Sequence, residues 1–229
     1  TECLIELGKL AKKYDTHIQT HSSESDWAHQ FSKDKYGVTD VEALHKFGLI
    51  TNKSLIAHAS FLESHDVEIL KDTGCTIAHS PVSNAFFANA VLPVKDFKSS
   101  GAKIGLASDI SGGYSPSIYQ AIRQAVLSSR MLEDGVNPAL PSHKRGRNNS
   151  AITFNNAFYL ATVAGGEALD LPIGKLEKDY MMDIQIIKLD DNIPNYTESK
   201  RKEDILHKIL LLSESSNISE VWVQGRKVK

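Results

Sequence analysis

Four short apolar segments, each ending in a side chain that can bind a metal or move a proton, constrain the fold of this chain more than any other feature. The segments end at His21, His58, His79 and Asp109, and stretches with helical periodicity separate them. Alternation of strand and helix is typical of a parallel sheet, in which the carboxyl ends of the strands lie on one side. We therefore expect an α/β fold that brings these four side chains to one edge.

The segment 17–21 ends at His21, and Glu24 follows three residues later. On a strand, alternate side chains share one face, so His21 would lie on a face with other polar groups, which is costly unless they bind something. One interpretation is a histidine that holds a metal beside a carboxylate that moves protons. The alternative is a hydrogen-bonded core histidine, with Ser22 or Ser23 capping the next helix.

The remaining pattern predicts a second, smaller unit at the C-terminal end. Residues 182–187 and 220–228 alternate or are rich in β-forming residues, and an amphipathic run at 204–212 lies between them. We expect an α/β domain over residues 1–170 and a small β domain over residues 171–229. The helices predicted in the first domain are 2–13, 39–47, 64–71, 94–100, 115–132 and 150–164. Residues 27–35 are predicted to be a loop with a helical turn, and the segment after His79 an irregular loop.

Composition disfavours several classes of function. The formal net charge is -2 and hydrophobic residues make up 41% of the chain, so no broad basic field favours nucleic acid and a small-molecule substrate fits better. We interpret the basic run 143–147 as solvated surface rather than an anion site. Cys3 and Cys75 form no disulfide framework. No apolar run approaches the roughly 20 residues of a membrane span and no signal peptide opens the chain, so we expect no membrane partner and a cytoplasmic location.

Four motifs carry a resemblance to a known family. They are Gln19-Thr-His21-Ser-Ser-Glu24, Ala57-His58-Ala59, His79-Ser-Pro81-Val-Ser83-Asn84 and Ser108-Asp109. Together they resemble the metal-dependent deaminases of the amidohydrolase superfamily, and the extension 109–115 is similar to that of the guanine deaminase group. The resemblance implies the second half of a (β/α)8 TIM-type barrel, strands five to eight, followed by the closing strands of a small β domain.

The resemblance also implies roles for individual residues. His21 and Asp109 would be zinc ligands, Glu24 would shuttle protons to the ring of the substrate, and His58 would contact the attacking water or the tetrahedral centre. His79 would either line the substrate pocket or have a structural role, and Arg123 would form a structural ion pair. The residues expected to contact substrate are His21, Glu24, His58, His79 and Asp109, and those expected to act in catalysis are Glu24, His58 and Asp109.

One part of the family pattern is absent. The family takes two further zinc ligands from an H-x-H motif, and none of the nine histidines of this chain forms one. The chain also opens at Thr1 inside a predicted helix, so we expect that a missing N-terminal half is required. The resemblance implies that the complete protein is a homodimer.

The function that the resemblance implies is zinc-dependent hydrolysis of guanine to xanthine and ammonia. Two alternatives stay open: deamination of another heterocycle of the pterin, cytosine or triazine type, and a non-catalytic barrel that serves as a binding or scaffold module.

Overall fold

A four-stranded parallel sheet forms the centre of the protein. The computed structural model describes residues 1–189, 193 and 201–229. The strands lie side by side in chain order, which confirms the predicted parallel arrangement; they are β1 Ile18–Ser22, β2 Ser54–His58, β3 Thr76–His79 and β4 Lys103–Leu106. Ser22 lies opposite His58 and His79 lies opposite Leu106. The carboxyl ends of the strands are therefore aligned at one edge.

Helices connect the strands and cover the sheet. Their bounds are α1 Glu2–Tyr14, α2 Asp26–Tyr36, α3 Asp40–Lys46, α4 Ser64–Thr73, α5 Pro81–Phe86, α6 Val94–Ser99, α7 Ile118–Asp134, α8 Ser142–Arg145, α9 Phe154–Ala161, α10 Val163–Ala168 and α11 Lys202–Leu212. Thr39 begins α3 by accepting the backbone N–H of Glu42, and Gly74 ends α4 at a φ of 75°. Both ends agree with the sequence, since threonine is favoured at the N-cap of a helix and glycine at the C-cap, where the backbone is left-handed.

Three predictions about helices are wrong. The segment 27–35 is helical, and Ser25 rather than Ser22 or Ser23 caps it by accepting the N–H of Ala28 at 3.3 Å. The segment after His79 is helix α5, whose first turn is preset by the fixed φ of Pro81.

The single helix predicted over residues 150–164 is two helices. They are separated at Thr162, whose φ and ψ of -123° and -86° are not helical. Gly165 and Gly166, which follow the predicted helix, lie inside α10. A Cβ on Gly166 would lie 2.6 Å from the carbonyl oxygen of Ile173, so the absence of a side chain there allows close packing rather than a helix end.

Two strand ends also differ from the prediction. β1 includes Ser22, one residue beyond His21, and β4 stops at Leu106, three residues before Asp109. Asp109 has a φ of 47°, a left-handed backbone conformation that cannot continue a strand. The aspartate therefore lies in the turn beyond β4 rather than at its last position.

A second, antiparallel sheet contains β5 Ile184–Ile187, β6 Ile218–Val223 and β7 Arg226–Lys227. The stretch predicted as continuous over 220–228 is a hairpin, because Gln224 and Gly225 have φ values of 50° and 75° and form the kind of turn that joins two twisted strands. Residues 190–192 and 194–200 of the predicted small β domain lie outside the described residues. The boundary at residue 170 stays a prediction.

Arg123 links α7 to the end of α11. Its Nε donates a hydrogen bond to the carbonyl oxygen of Leu210 at 2.9 Å, and its Nη2 donates to that of Ser213. Arg123 was predicted to form an ion pair, whereas its hydrogen-bond partners are backbone carbonyl oxygens at the end of a helix.

The core lies between the parallel sheet and its helices. Ile56, Ile77 and Ile104 are adjacent across β2, β3 and β4 and are buried, and Ile122 of α7 and Leu160 of α9 are buried in the same cluster. None of the described helices is long and apolar enough to cross a membrane. In the basic run 143–147, Arg147 pairs with Asp96, which agrees with a solvated surface.

Candidate metal centre

Three of the four predicted side chains meet at the carboxyl edge of the sheet. His21, His58 and Asp109 each offer one ligand atom, and these three atoms lie within 4.8 Å of one another. The imidazole rings of His21 and His58 are 5.1 Å apart between centroids. Two imidazoles and one carboxylate form a donor set that zinc commonly uses in catalytic sites. The cluster is therefore able to hold a metal ion.

Glu24 lies beside this cluster, as the sequence predicted. Its Oε1 is 3.8 Å from Nε2 of His58, and Oδ2 of Asp109 is 3.7 Å from the same nitrogen. Both distances exceed those of a hydrogen bond, so the two carboxylates face the imidazole without bonding to it. The Nδ2 atom of Asn89 approaches Oε1 of Glu24 at 3.5 Å. Glu24 is thus held at the edge of the cluster.

His58 provides the test of whether a metal fits. The side chain is fully buried, and its Nδ1 is 2.8 Å from Oδ1 of Asn84. Its Nε2 has no hydrogen-bond partner among the described residues. Leaving a buried polar atom unpaired costs about 1–3 kcal/mol, so such atoms mark places where a ligand or water belongs. A metal ion between His21, His58 and Asp109 would satisfy this nitrogen.

The turns that carry these side chains have unusual backbone conformations. Ser23, His58, Ala59 and Asp109 all have positive φ values, between 46° and 67°. Residues other than glycine adopt this region at a cost of about 1–3 kcal/mol each, and such residues concentrate at functional sites. Backbone hydrogen bonds join two of these turns. The N–H of Ala59 donates to the carbonyl oxygen of Ser22 at 2.9 Å, and the N–H of Ser60 donates to the carbonyl oxygen of Ser23 at 3.1 Å.

Two glycines let the loop after β4 fold tightly against Asp109. A Cβ on Gly112 would lie 2.6 Å from Oδ2 of Asp109, and a Cβ on Gly113 would lie 2.6 Å from the carbonyl oxygen of Ser108. The N–H of Gly113 donates to the carbonyl oxygen of Asp109. A side chain at either glycine would therefore clash with a neighbouring oxygen. At Gly112 that oxygen is Oδ2 of Asp109, the carboxylate oxygen that faces His58.

His79 is not part of the three-residue cluster. It is buried at the end of β3, its Nδ1 has no partner in the described part of the chain, and burial lowers its pKa from 6.5 to about 3. The nearby His58 contributes to the shift in the same direction. His79 is therefore neutral at physiological pH and offers a nitrogen to a neighbouring group without carrying charge.

Sequence reasoning assigned no role to Asn84 or to Gly112, although both lie in quoted motifs. Asn84 contacts His58 directly, and Gly112 leaves space for the Asp109 carboxylate. The motif His79-Ser-Pro81-Val-Ser83-Asn84 could have pointed to the asparagine, but no pattern in the sequence indicates which strand its side chain meets.

A sequence model described as the Amidohydrolase family matches residues 1–228. The chain belongs to the amidohydrolase family. Among relatives in this family, it is similar to the guanine deaminase of Rattus norvegicus, with 34% identity over 246 residues that cover 100% of this chain and 50% of the relative. It is 31% identical over 236 residues to the guanine deaminase of Dictyostelium discoideum, covering 100% of this chain and 50% of that protein.

The fold agrees with a solved structure of an amidohydrolase. The guanine deaminase from C. acetobutylicum with bound guanine in the active site has a TM-score of 0.86 and 27% sequence identity, covering 99% of this chain and 52% of the other. The chain thus spans about half the length of the relatives that it matches.

Proposed function

We propose that the protein carrying this chain hydrolyses guanine to xanthine and ammonia in a zinc-dependent reaction. The observation that supports this most is the cluster of His21, His58 and Asp109 with Glu24 beside it. The similarity to guanine deaminases over the whole chain supports the choice of substrate. Small-molecule chemistry at the carboxyl edge of a parallel sheet also agrees with where α/β folds usually place their active sites.

The residues that would hold zinc are His21 and Asp109, with His58 as a third donor. When bound, zinc supplies an activated water near neutral pH, because its coordinated water has a pKa of about 7. The buried, unpaired Nε2 of His58 supports its position beside this centre. A donor set of two imidazoles and a carboxylate also favours zinc over the harder cations, which prefer oxygen ligands.

Glu24 and Asp109 would carry the proton steps. Deamination requires that the amino group depart protonated, so a carboxyl group must lie near the ring as acid and base. Glu24 is partly exposed at the edge of the cluster, where it can reach a ring, whereas Asp109 faces His58 and can accept a proton from water. His79 would line the pocket as a neutral imidazole, and together with His21, Glu24, His58 and Asp109 would contact the substrate.

We further propose that the four parallel strands are strands five to eight of a (β/α)8 barrel, and that the missing half supplies the remaining metal donors. Within the described residues, β1 pairs only with β2 and β4 pairs only with β3, so neither outer strand has a strand partner on its other side. The proposal includes a homodimer for the complete protein and a cytoplasmic location.

The test compares the complete protein that carries this chain with its Glu24→Gln variant. We expect loss of guanine absorbance and formation of xanthine only in the unchanged protein, together with equal zinc content in both by elemental analysis. A panel of adenosine, pterin, cytosine and triazine substrates tests the choice of heterocycle. Turnover of one of these without turnover of guanine would overturn the substrate, and unreduced turnover by Glu24→Gln would overturn the role of Glu24.

A further inference from the structure

Asn84 is buried at a point where three segments of the chain meet. Its side chain is reached by His58 at the end of β2, by Ser60 in the turn that follows, and by Ala90 in the loop after α5. The residue is 3% exposed. Each end of its amide therefore has a partner within the protein rather than in water.

The partners fix which way the amide points. One end is 3.4 Å from the carbonyl oxygen of Ala90 and 3.2 Å from Oγ of Ser60. A carbonyl oxygen can only accept a hydrogen bond, so the atom that faces Ala90 must be the NH2 group. The other end, Oδ1, then faces Nδ1 of His58 at 2.8 Å. The reverse orientation would bring two oxygens together.

The orientation of the amide in turn fixes the proton on His58. An oxygen at hydrogen-bond distance can only accept, so Nδ1 of a neutral His58 must carry the proton. The lone pair of the ring is then on Nε2, the buried nitrogen that has no partner among the described residues and that faces Glu24 and Asp109. A nitrogen in this state can accept a hydrogen bond or bind a metal, whereas a protonated one can do neither.

We infer that Asn84 is a positioning residue that holds His58 in the tautomer with the proton on Nδ1, so that Nε2 presents a lone pair to the His21–His58–Asp109 cluster. The tautomer follows from the contacts alone. The consequence for metal binding rests on the proposed function, because it requires that the cluster hold zinc. Outer hydrogen bonds of this kind set the ring orientation and tautomer of metal-binding histidines in general.

The test is nitrogen-15 NMR on the metal-free complete protein with labelled histidine, at about pH 8, well above the pKa of about 6.5 of histidine in model peptides. His58→Gln identifies the His58 signals. We expect the unchanged protein to show a protonated Nδ1 and an unprotonated Nε2. Asn84→Asp keeps an acceptor oxygen and should retain this tautomer. Asn84→Leu, which has nearly the same shape and no acceptor, should populate the tautomer with the proton on Nε2.

Ser60→Ala serves as the matched control, because it removes one anchor of the amide but leaves Ala90 and Oδ1 of Asn84 in place. It should leave the tautomer unchanged. A proton on Nε2 in the unchanged protein would overturn the inference, as would an unaltered tautomer in a folded Asn84→Leu. The spectrum of the unchanged protein decides the tautomer even where Asn84→Leu does not fold.

Zinc affinity, measured by calorimetry on the same proteins, tests the consequence. We expect Asn84→Leu to bind zinc about tenfold to hundredfold more weakly, the usual effect of losing such an outer contact, and Asn84→Asp to remain closer to the unchanged protein. Equal affinity in all variants would overturn the role of Nε2 toward a metal. Absence of guanine turnover by the complete protein with zinc would count against the proposed function while leaving the tautomer result intact, so the two failures are distinguishable.

Discussion

Gly112→Ala should damage the metal centre while leaving the fold nearly unchanged. The added Cβ would lie 2.6 Å from Oδ2 of Asp109 and 3.2 Å from its Cγ. Since this oxygen is the end of a short side chain that is only partly buried, it can rotate away by roughly half an ångström or more, at a cost of about 0.5–1.5 kcal/mol for leaving its preferred rotamer. The free energy of unfolding should therefore fall by about 1 kcal/mol.

The effect on the metal should be larger than the effect on stability. The displaced oxygen is the one that lies 3.7 Å from Nε2 of His58, so its movement separates two members of the cluster. Sites of this kind require their donors to be held within about 0.5 Å of the correct geometry. We expect zinc affinity and turnover to fall about tenfold to hundredfold, which corresponds to about 1.4–2.8 kcal/mol.

Gly165→Ala is the matched control for this prediction. It also adds one methyl group to a glycine, but the new Cβ would meet no atom within 4 Å apart from the backbone of its own helix and its chain neighbours. The residue lies inside α10, where alanine is favoured over glycine by about 1 kcal/mol. The measurements are urea unfolding and zinc calorimetry on both variants. If Gly112→Ala bound zinc as tightly as Gly165→Ala, the steric argument about Asp109 would be refuted.

Three further predictions concern other parts of the molecule. Asp109→Ala should lose both zinc binding and turnover, because the carboxylate is a proposed ligand and base, and elemental analysis beside a guanine assay measures both. In metal-free protein, the free energy of unfolding should decrease as pH falls from about 6.5 toward 3, by up to about 1.4 kcal/mol per pH unit. The reason is that the unfolded chain protonates His79 in this range, while burial holds the pKa of His79 in the folded protein near 3. The His79→Gln variant should show a smaller slope in urea titrations, and an identical slope would contradict the prediction. Gly135→Ala should destabilise the protein more than Gly37→Ala in thermal unfolding, since both residues end helices at positive φ but only the Cβ at 135 would lie 1.9 Å from a carbonyl oxygen, that of Arg145.

The sequence predicted the parallel sheet because strand and helix periods alternate clearly in it. The caps at Thr39 and Gly74 were also readable, since each depends on one residue and its immediate neighbours. The end of β4 was not readable in the same way. Between Gly105 and Asp109 there is no glycine or proline that would indicate the end of a strand. The turn at Asp109 depends instead on contacts with Gly112 and Gly113.

The candidate site was predictable in its residue types but not in its supporting contacts. Ligands at strand ends were visible because a parallel sheet brings such ends together, and the resemblance gave them roles. The contact between His58 and Asn84 joins residues 26 positions apart, and the short helix that carries Asn84 was predicted to be a loop. Only the three-dimensional path of α5 shows that this amide reaches the histidine.

The last prediction is that the 229-residue chain alone associates with other chains and binds zinc weakly. A catalytic zinc normally has at least three protein ligands, and the cluster of His21, His58 and Asp109 offers three donor atoms at most, all within 4.8 Å of one another. The sheet also lacks partners, because in the described part of the chain β1 and β4 each pair with another strand on one side only. Unpaired strand edges promote pairing with other chains, so we expect the isolated chain to associate. Light scattering over a dilution series and zinc calorimetry measure both properties. A stable monomer that bound one zinc tightly and turned over guanine would show that the four-stranded sheet is complete in itself, and the assignment to half of a barrel would have to be abandoned.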